Sequence, residues 1–238
     1  MMWKDREEAG QSLGAHLQGI GGLEGAVVLG IPRGGVVVAA GVAEALGGEL
    51  GVIVARKLRA PHQPELAIGA ATADGSCWVE PRALRVLGVD PEYLEAERIH
   101  QAEEARRREE LFARYRKPSL AGRPVVVVDD GIATGATAMA ALRAARSAGA
   151  TTVVLAAPVA SPERADMLRG EADLVVCLVE DPNLYAVGQY YEDFRSIEED
   201  EVMSLLESHG RKPSTERRTS TRGMGRRPSG AGGPSSPA

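Results

Sequence analysis

The stretch Val125-Val126-Val127-Val128-Asp129-Asp130-Gly131-Ile132-Ala133-Thr134-Gly135-Ala136-Thr137 decides the fold. Four consecutive valines make a short apolar run of the kind buried on both faces of a parallel sheet. Two acids end the run, small residues follow, and from Ala136 to Ala148 the chain is alanine-rich, as a helix would be. This order of strand, acidic tip, small-residue loop and helix has a chemical meaning. Small residues let the backbone close around a phosphate, whose oxygens accept from consecutive N–H groups and from the hydroxyls of Thr134 and Thr137. The helix N-terminus adds partial positive charge. Ionised Asp129 and Asp130 can accept hydrogen bonds from vicinal sugar hydroxyls. Two familiar phosphate motifs do not fit: Gly135 is followed by Ala136 rather than the lysine of a Walker A loop, and the stretch is not Gly-x-Gly-x-x-Gly.

Working outward, β-branched runs alternate with alanine-rich segments, the pattern of βα units around a mostly parallel sheet. Strands are expected at Ala26–Leu29, Gly51–Ala55, Val125–Asp129, Thr152–Ala156 and Leu174–Val179, with an antiparallel or edge element at Leu66–Thr72. Helices are expected at Gly35–Leu46, Ala136–Ala148 and Pro162–Leu168, each with a glycine close behind it. Pro91–Arg116 reads as one long helix, dense in Glu and Arg, standing off the core. Its early acids and late bases suit the helix dipole, and Ile99, Leu111, Phe112 and Tyr115 could serve a homodimer contact.

A second small-residue turn, Gly30-Ile31-Pro32-Arg33-Gly34-Gly35, follows the first strand and makes a second anion cradle. Two cradles, one per βα turn, suit a sugar with phosphates at both ends. Arg56-Lys57, after the next strand, opens onto the same crevice and can neutralise a pyrophosphate.

The Val125–Thr137 stretch closely resembles the 5-phosphoribosyl-1-diphosphate (PRPP) signature of type I phosphoribosyltransferases. That resemblance implies an α/β fold with a mostly parallel central sheet flanked by helices and a small C-terminal hood, beside which the long charged helix protrudes. It implies that Asp129 and Asp130 hold the ribose hydroxyls and that Ala133, Thr134, Gly135, Ala136 and Thr137 cradle the 5′-phosphate. It makes Arg33, Gly34 and Gly35 the pyrophosphate loop, with a non-proline cis peptide near Arg33 or Gly34. Arg56 and Lys57 would act on the pyrophosphate beneath a mobile loop, Leu58–Leu66, that offers His62 and Glu65 as lid contacts. The segment from Asp181 to Arg195 holds four of the nine aromatic residues and is similar to the hood of 6-oxopurine phosphoribosyltransferases. This nominates Tyr185 to stack on a base, Val187 to touch its edge, Val159 to line the base side, and Glu192 or Asp193 for a Mg²⁺ shell. Gln189 replaces the usual aromatic residue there, and Pro158-Val159-Ala160-Ser161 lacks the lysine of those enzymes.

The implied activity is transfer of the phosphoribosyl group of PRPP to a nitrogenous base with Mg²⁺ and release of pyrophosphate, as in nucleotide salvage. Two alternatives use the same residues: a PRPP- or nucleotide-sensing regulator without turnover, and a metal-dependent hydrolase of sugar phosphates or nucleotides. In domain terms, residues 1–208 form the phosphoribosyltransferase unit, with a core at about 24–180, a helical insertion at about 81–117 and a hood at about 181–208. Residues 209–238 form a disordered basic tail.

Composition narrows the remaining options. Arg211–Ala238 carries seven basic residues against one acid, which leaves 21 basic and 32 acidic residues in the body, a net of −11. So acidic a body argues against a dedicated nucleic-acid surface, although the tail could attach weakly to phosphates. Cys77 and Cys177 lie in apolar stretches as free thiols, and His16, His62, His100 and His209 are scattered, which gives no zinc spacing. No apolar run is long enough to cross a bilayer, and the expectation is a cytoplasmic protein without membrane attachment.

Overall fold

The computed structural model describes residues 2–114 and 118–210. In chain order the elements are α1 (Arg6–Gln18), β1 (Val27–Gly30), α2 (Gly34–Leu46), β2 (Glu49–Val52), β3 (Ala55–Ala60), β4 (Gln63–Thr72), β5 (Cys77–Val79), α3 (Pro81–Leu87), α4 (Pro91–Ala113), β6 (Pro124–Val128), α5 (Ala136–Ser147), β7 (Thr152–Ala160), α6 (Pro162–Leu168), β8 (Leu174–Glu180) and α7 (Glu199–Gly210). The five strands β2-β1-β6-β7-β8 form a sheet that is parallel throughout. Its valines alternate between two cores: Val126 and Val128 face Leu13, Val38 and Leu206 on one side, and Val125 and Val127 face Ala141, Leu142 and Leu168 on the other. Burial on both faces is why β6 reads as an unbroken apolar run.

The first helix has no counterpart in the sequence-based expectations. Asp5 caps α1 by accepting from the Glu8 N–H at 2.9 Å. Gly10 interrupts its apolar pattern for a packing reason, since a Cβ there would lie 2.6 Å from the Val38 carbonyl oxygen of α2. The glycine that weakens the sequence signal is thus the one that lets the two helices approach closely.

The expected strand Gly51–Ala55 is two strands. The chain leaves the main sheet after β2, turns at Ile53 and Val54, and enters a second, three-stranded antiparallel sheet, β3-β4-β5. Because both sheets draw on the same apolar vocabulary, nothing in composition marks the break. The lid loop expected at Leu58–Leu66 is the end of a paired hairpin, with Ala60 opposite Gln63. Pro61 and His62 make its two-residue turn, and His62 has a φ of 63°. β7 also runs longer than expected, and Pro158 sits within it at the position that the register with β8 skips.

The long helix α4 does not stand off the core. Ala102, Ala105 and Phe112 are buried, the first against the hairpin sheet and the other two in the main core. Phe112 is therefore core rather than a surface contact, while Ile99 and Leu111 stay exposed. The expected end of this helix at Tyr115 and Arg116, and the basic tail from Arg211, lie outside the described residues. Of the expected hood, Val187, Tyr190 and Tyr191 pack with Trp3 beside Leu178 and Val179 of β8, whereas Ile197 and, from α7, Val202 and Leu206 enter the main core. Among the described residues no helix is long and apolar enough to cross a membrane.

Phe112→Ala is expected to lower unfolding free energy by roughly 3–5 kcal/mol, and Ile99→Ala by no more than about 0.5 kcal/mol, in urea titrations. Both losses should be independent of protein concentration, as a core role requires and a dimer contact would not.

Candidate active site

In the order β2-β1-β6-β7-β8, the chain winds away from β1 in one direction to reach β2 and in the other to reach β6. In such sheets the crevice outside the carboxyl ends of the two diverging strands receives the ligand. Two loops open there. Ile31–Arg33 leaves β1 and leads into α2, and Asp129–Gly135 leaves β6 and leads into α5, so both helix N-termini point at the crevice. The Ile31 N–H donates to the Val128 carbonyl at 2.8 Å and locks the loops side by side. The Pro32–Arg33 peptide is cis, at the place that the resemblance implies.

Between the loops lies a cavity of about 230 Å³, lined by Pro32, Lys57, Asp129, Asp130 and the run Gly131–Gly135 with Thr137. Asp129 accepts from the Asp130 N–H at 2.9 Å. Burial and then the neighbouring charge of Asp130 push the Asp129 carboxyl well above the ordinary aspartate range, while that N–H and Lys57 oppose the shift. Asp130 is held from behind. Arg6, with 8% side-chain exposure, meets its Oδ2 at 2.7 Å, and the Tyr191 hydroxyl donates to its carbonyl at 2.7 Å. The pair is thus asymmetric, one acid neutralised by a cation and the other crowded toward its protonated form. Gly34 belongs to the same packing, because a Cβ there would strike Asp130 Oδ2 and come within 2.6 Å of Arg6 Nε.

A second cavity of about 340 Å³ adjoins the first and shares Pro32, Ala55, Lys57 and Thr137 with it. Arg56, Lys57 and Arg59 from β3 and Arg108 from α4 line it, with Glu65 the acid at its wall. The Arg56 pKa is lowered by burial and then by the like charge of Arg108. Gln101 steadies Arg56 with its Oε1 at 3.4 Å and passes its own N–H to Glu97 at 3.0 Å. Four cations outweigh Glu65 here and make the cavity electropositive, although Arg108 also reaches Glu199 at 3.4 Å.

The chain's similarity to known proteins points the same way. The sequence profile of the "Phosphoribosyl transferase domain" matches residues 14–195. The chain belongs to the phosphoribosyltransferase family. It is 44% identical over 207 residues to proteins of Mycobacterium tuberculosis, strains CDC 1551 and H37Rv, that are provisionally named phosphoribosyl transferases. Those matches cover 87% of this chain, which spans about half the length, 46%, of those relatives. A crystal structure of the protein TT1426 from Thermus thermophilus is 45% identical, with a TM-score of 0.75 over 87% of this chain and 99% of that one.

Within this phosphoribosyltransferase domain the sequence-based nominations fall into two groups. Asp129, Asp130, Ala133, Thr134, Gly135, Thr137, Arg56, Lys57 and Glu65 line the two cavities, and Gly34 and Gly35 pack against the acids. Ala136 turns its side chain toward Ala70 and Ala140 beneath the loop. Arg33 reaches Glu198 at 3.4 Å rather than either cavity. His62 stays at the hairpin tip, off both cavity walls, because the residues expected to form a lid are paired as strands.

The hood residues depart furthest. Tyr185 is 93% exposed, since its backbone N–H is tied to Gln189 Oε1 at 2.9 Å and its ring finds no partner on the sheet. Val187 instead places its methyls against Gly131, over the fully buried Val159, so these two pack on the acid loop rather than lining the cavity. Glu192 and Asp193 donate their backbone N–H groups to the Trp3 and Lys4 carbonyls, both at 2.8 Å, and neither lines either of the two cavities. Among the described residues no cluster of three His, Cys, Asp or Glu side chains could hold a metal alone.

Sequence reasoning missed Arg6, Arg59 and Arg108. For Arg108 a signal existed: Gln101, Ala105, Arg108 and Phe112 recur at helical spacing, and the other three are buried. For Arg6 there was none, because the residue it serves lies 124 positions away.

Asp129→Asn is expected to raise the urea midpoint of the ligand-free protein at pH 7. A carboxyl whose folded pKa is raised holds its proton in the folded state and loses it in the unfolded one. The difference from wild type should therefore vanish below about pH 4 and grow with pH until the folded group ionises, as paired denaturation curves from pH 4 to 8 would record.

Proposed function

We propose that this chain transfers the 5-phosphoribosyl group of PRPP to a nitrogen nucleophile, with Mg²⁺, and releases pyrophosphate. The observation that carries the proposal is the adjoining pair of cavities at the sheet's switch point, one acidic at a helix N-terminus and one lined by four cations. A sugar whose phosphates sit at opposite ends matches that division. The run Ala133–Thr137 at the start of α5 would take the 5′-phosphate, and Asp129 and Asp130 the ribose hydroxyls. Arg56, Lys57, Arg59 and Arg108 would neutralise the departing pyrophosphate, favouring the C1′–O bond cleavage that builds oxocarbenium-like charge. Holding both ends of the sugar supplies orientation, and the hairpin wall bearing Glu65 screens the reacting centre from water.

The donors present suit Mg²⁺. That ion prefers one or two carboxylates plus substrate phosphates to an all-protein cage, and Asp129 is a half-buried carboxyl on the cavity wall with Lys57 the cation that acts on it. When bound, the ion would supply charge compensation to the pyrophosphate and ribose oxygens.

A second reading, sensing of PRPP or a nucleotide without turnover, is favoured by one observation. The aromatic ring expected to stack on a base, Tyr185, lies in the open, and no aromatic side chain lines the acidic cavity.

Calorimetric titration with PRPP and Mg²⁺, followed by assay of pyrophosphate release over a panel of purine and pyrimidine bases, separates these. Base-dependent pyrophosphate establishes the transferase, binding without release favours the sensor, and phosphate release without a base means hydrolysis. For the transferase, Lys57→Ala should lower kcat/KM by about 100-fold, as loss of one preorganised charge does, and Glu65→Gln by much less. Absence of PRPP binding would refute the proposal.

A further inference from the structure

We infer that Arg6 is a positioning residue for sugar recognition: it fixes the Asp130 carboxylate at the crevice and ties its orientation to a strap formed by the N-terminal segment and residues 190–195. The inference rests on the sugar-phosphate reading of the crevice and deepens it.

Arg6 lies at the start of α1, ahead of the residues 14–195 that the family profile matches. A guanidinium so deeply buried is costly unless its donors and its flat face are used. Here they are. Nε meets Asp130 Oδ2 at 2.7 Å, Nη1 donates to the Arg195 carbonyl at 2.9 Å, and the guanidinium carbon lies 3.9 Å from the centroid of the Phe194 ring. The fork and the stack together allow one placement, which a lysine could not reproduce.

Arg6 is held in turn by the strap. The Trp3 backbone N–H donates to the Tyr190 carbonyl, and the Glu192 and Asp193 backbone N–H groups donate to the Trp3 and Lys4 carbonyls, all at 2.8 Å. Tyr191 stacks on Phe194 at 5.0 Å and sends its hydroxyl to the Asp130 carbonyl at 2.7 Å. Side chain and backbone of Asp130 are therefore both gripped by the strap, on the side away from the cavity. The aromatic cluster, which in the sequence suggests a platform for a base, stacks on the protein's own cation. Its contribution to the site is indirect, through Arg6 and then Asp130.

The test is a double-mutant cycle on the full chain, with PRPP and Mg²⁺ affinity read by calorimetry and folding by thermal melting. Arg6→Gln and Asp130→Asn should each weaken PRPP binding by tenfold or more. The double variant should be no weaker than the poorer single, because the Arg6 effect passes through Asp130. Arg6→Lys should restore part of the affinity. If Arg6→Gln fails to fold, Arg6→Lys carries the test. A loss of threefold or more that disappears in the Asp130→Asn background supports the inference. Wild-type binding with an Arg6 variant unchanged, or with losses that multiply, overturns it while leaving the transferase reading intact. Failure of the wild type to bind PRPP overturns both.

Discussion

The parallel pairing of β1 with β6 is the constraint on which the site depends. Val27 lies opposite Val125 and Gly30 opposite Val128, so both strands end at the same level. Their loops emerge side by side, and each delivers a helix N-terminus to one crevice. Neither loop is a site by itself. A shift of one residue in this register would turn Val125–Val128 inside out between two cores, and the packing of both faces forbids it.

The division of labour between the two sheets follows from this frame. The rigid parallel sheet carries the acids and the helix termini. The antiparallel hairpin, joined to it by Ile53 and Val54, carries Arg56, Lys57 and Arg59 and is backed by α4, which contributes Arg108. Lys57 stands at the boundary, on the wall of both cavities. The family match covers the parallel sheet and the hairpin alike, whereas the ion pair that steadies Asp130 comes from outside it.

How much of this was legible in the sequence depends on the range over which each feature is determined. The strand, acidic tip, small-residue loop and helix around Asp129 are set by neighbours in the chain, and the structure has them where the pattern puts them. Arg56 and Lys57 reach the crevice, but from within β3 of the hairpin rather than from the end of a strand of the parallel sheet. Features set by distant partners did not show. The hairpin hid inside a continuous β-rich run. α1 hid because Gly10, needed for close approach to α2, dilutes its apolar stripe. Arg108 was hidden in a run of charges that looks solvated, although its spacing from Gln101, Ala105 and Phe112 marks the buried face. The aromatic residues around Tyr191 were legible as a cluster but not in their use, since composition does not tell a platform for a ligand from a seat for Arg6.

One property of the two cavities reaches beyond binding geometry. In the free protein burial raises the Asp129 carboxyl and lowers the Arg56 guanidinium, and the like charges of Asp130 and Arg108 add to each shift. Under the proposed function, a ligand carrying hydroxyls at one end and anionic oxygens at the other would offset both shifts at once. Such a ligand would act as a missing piece of the fold. It would draw the hairpin and the parallel sheet, which meet across the crevice, into one cooperative unit.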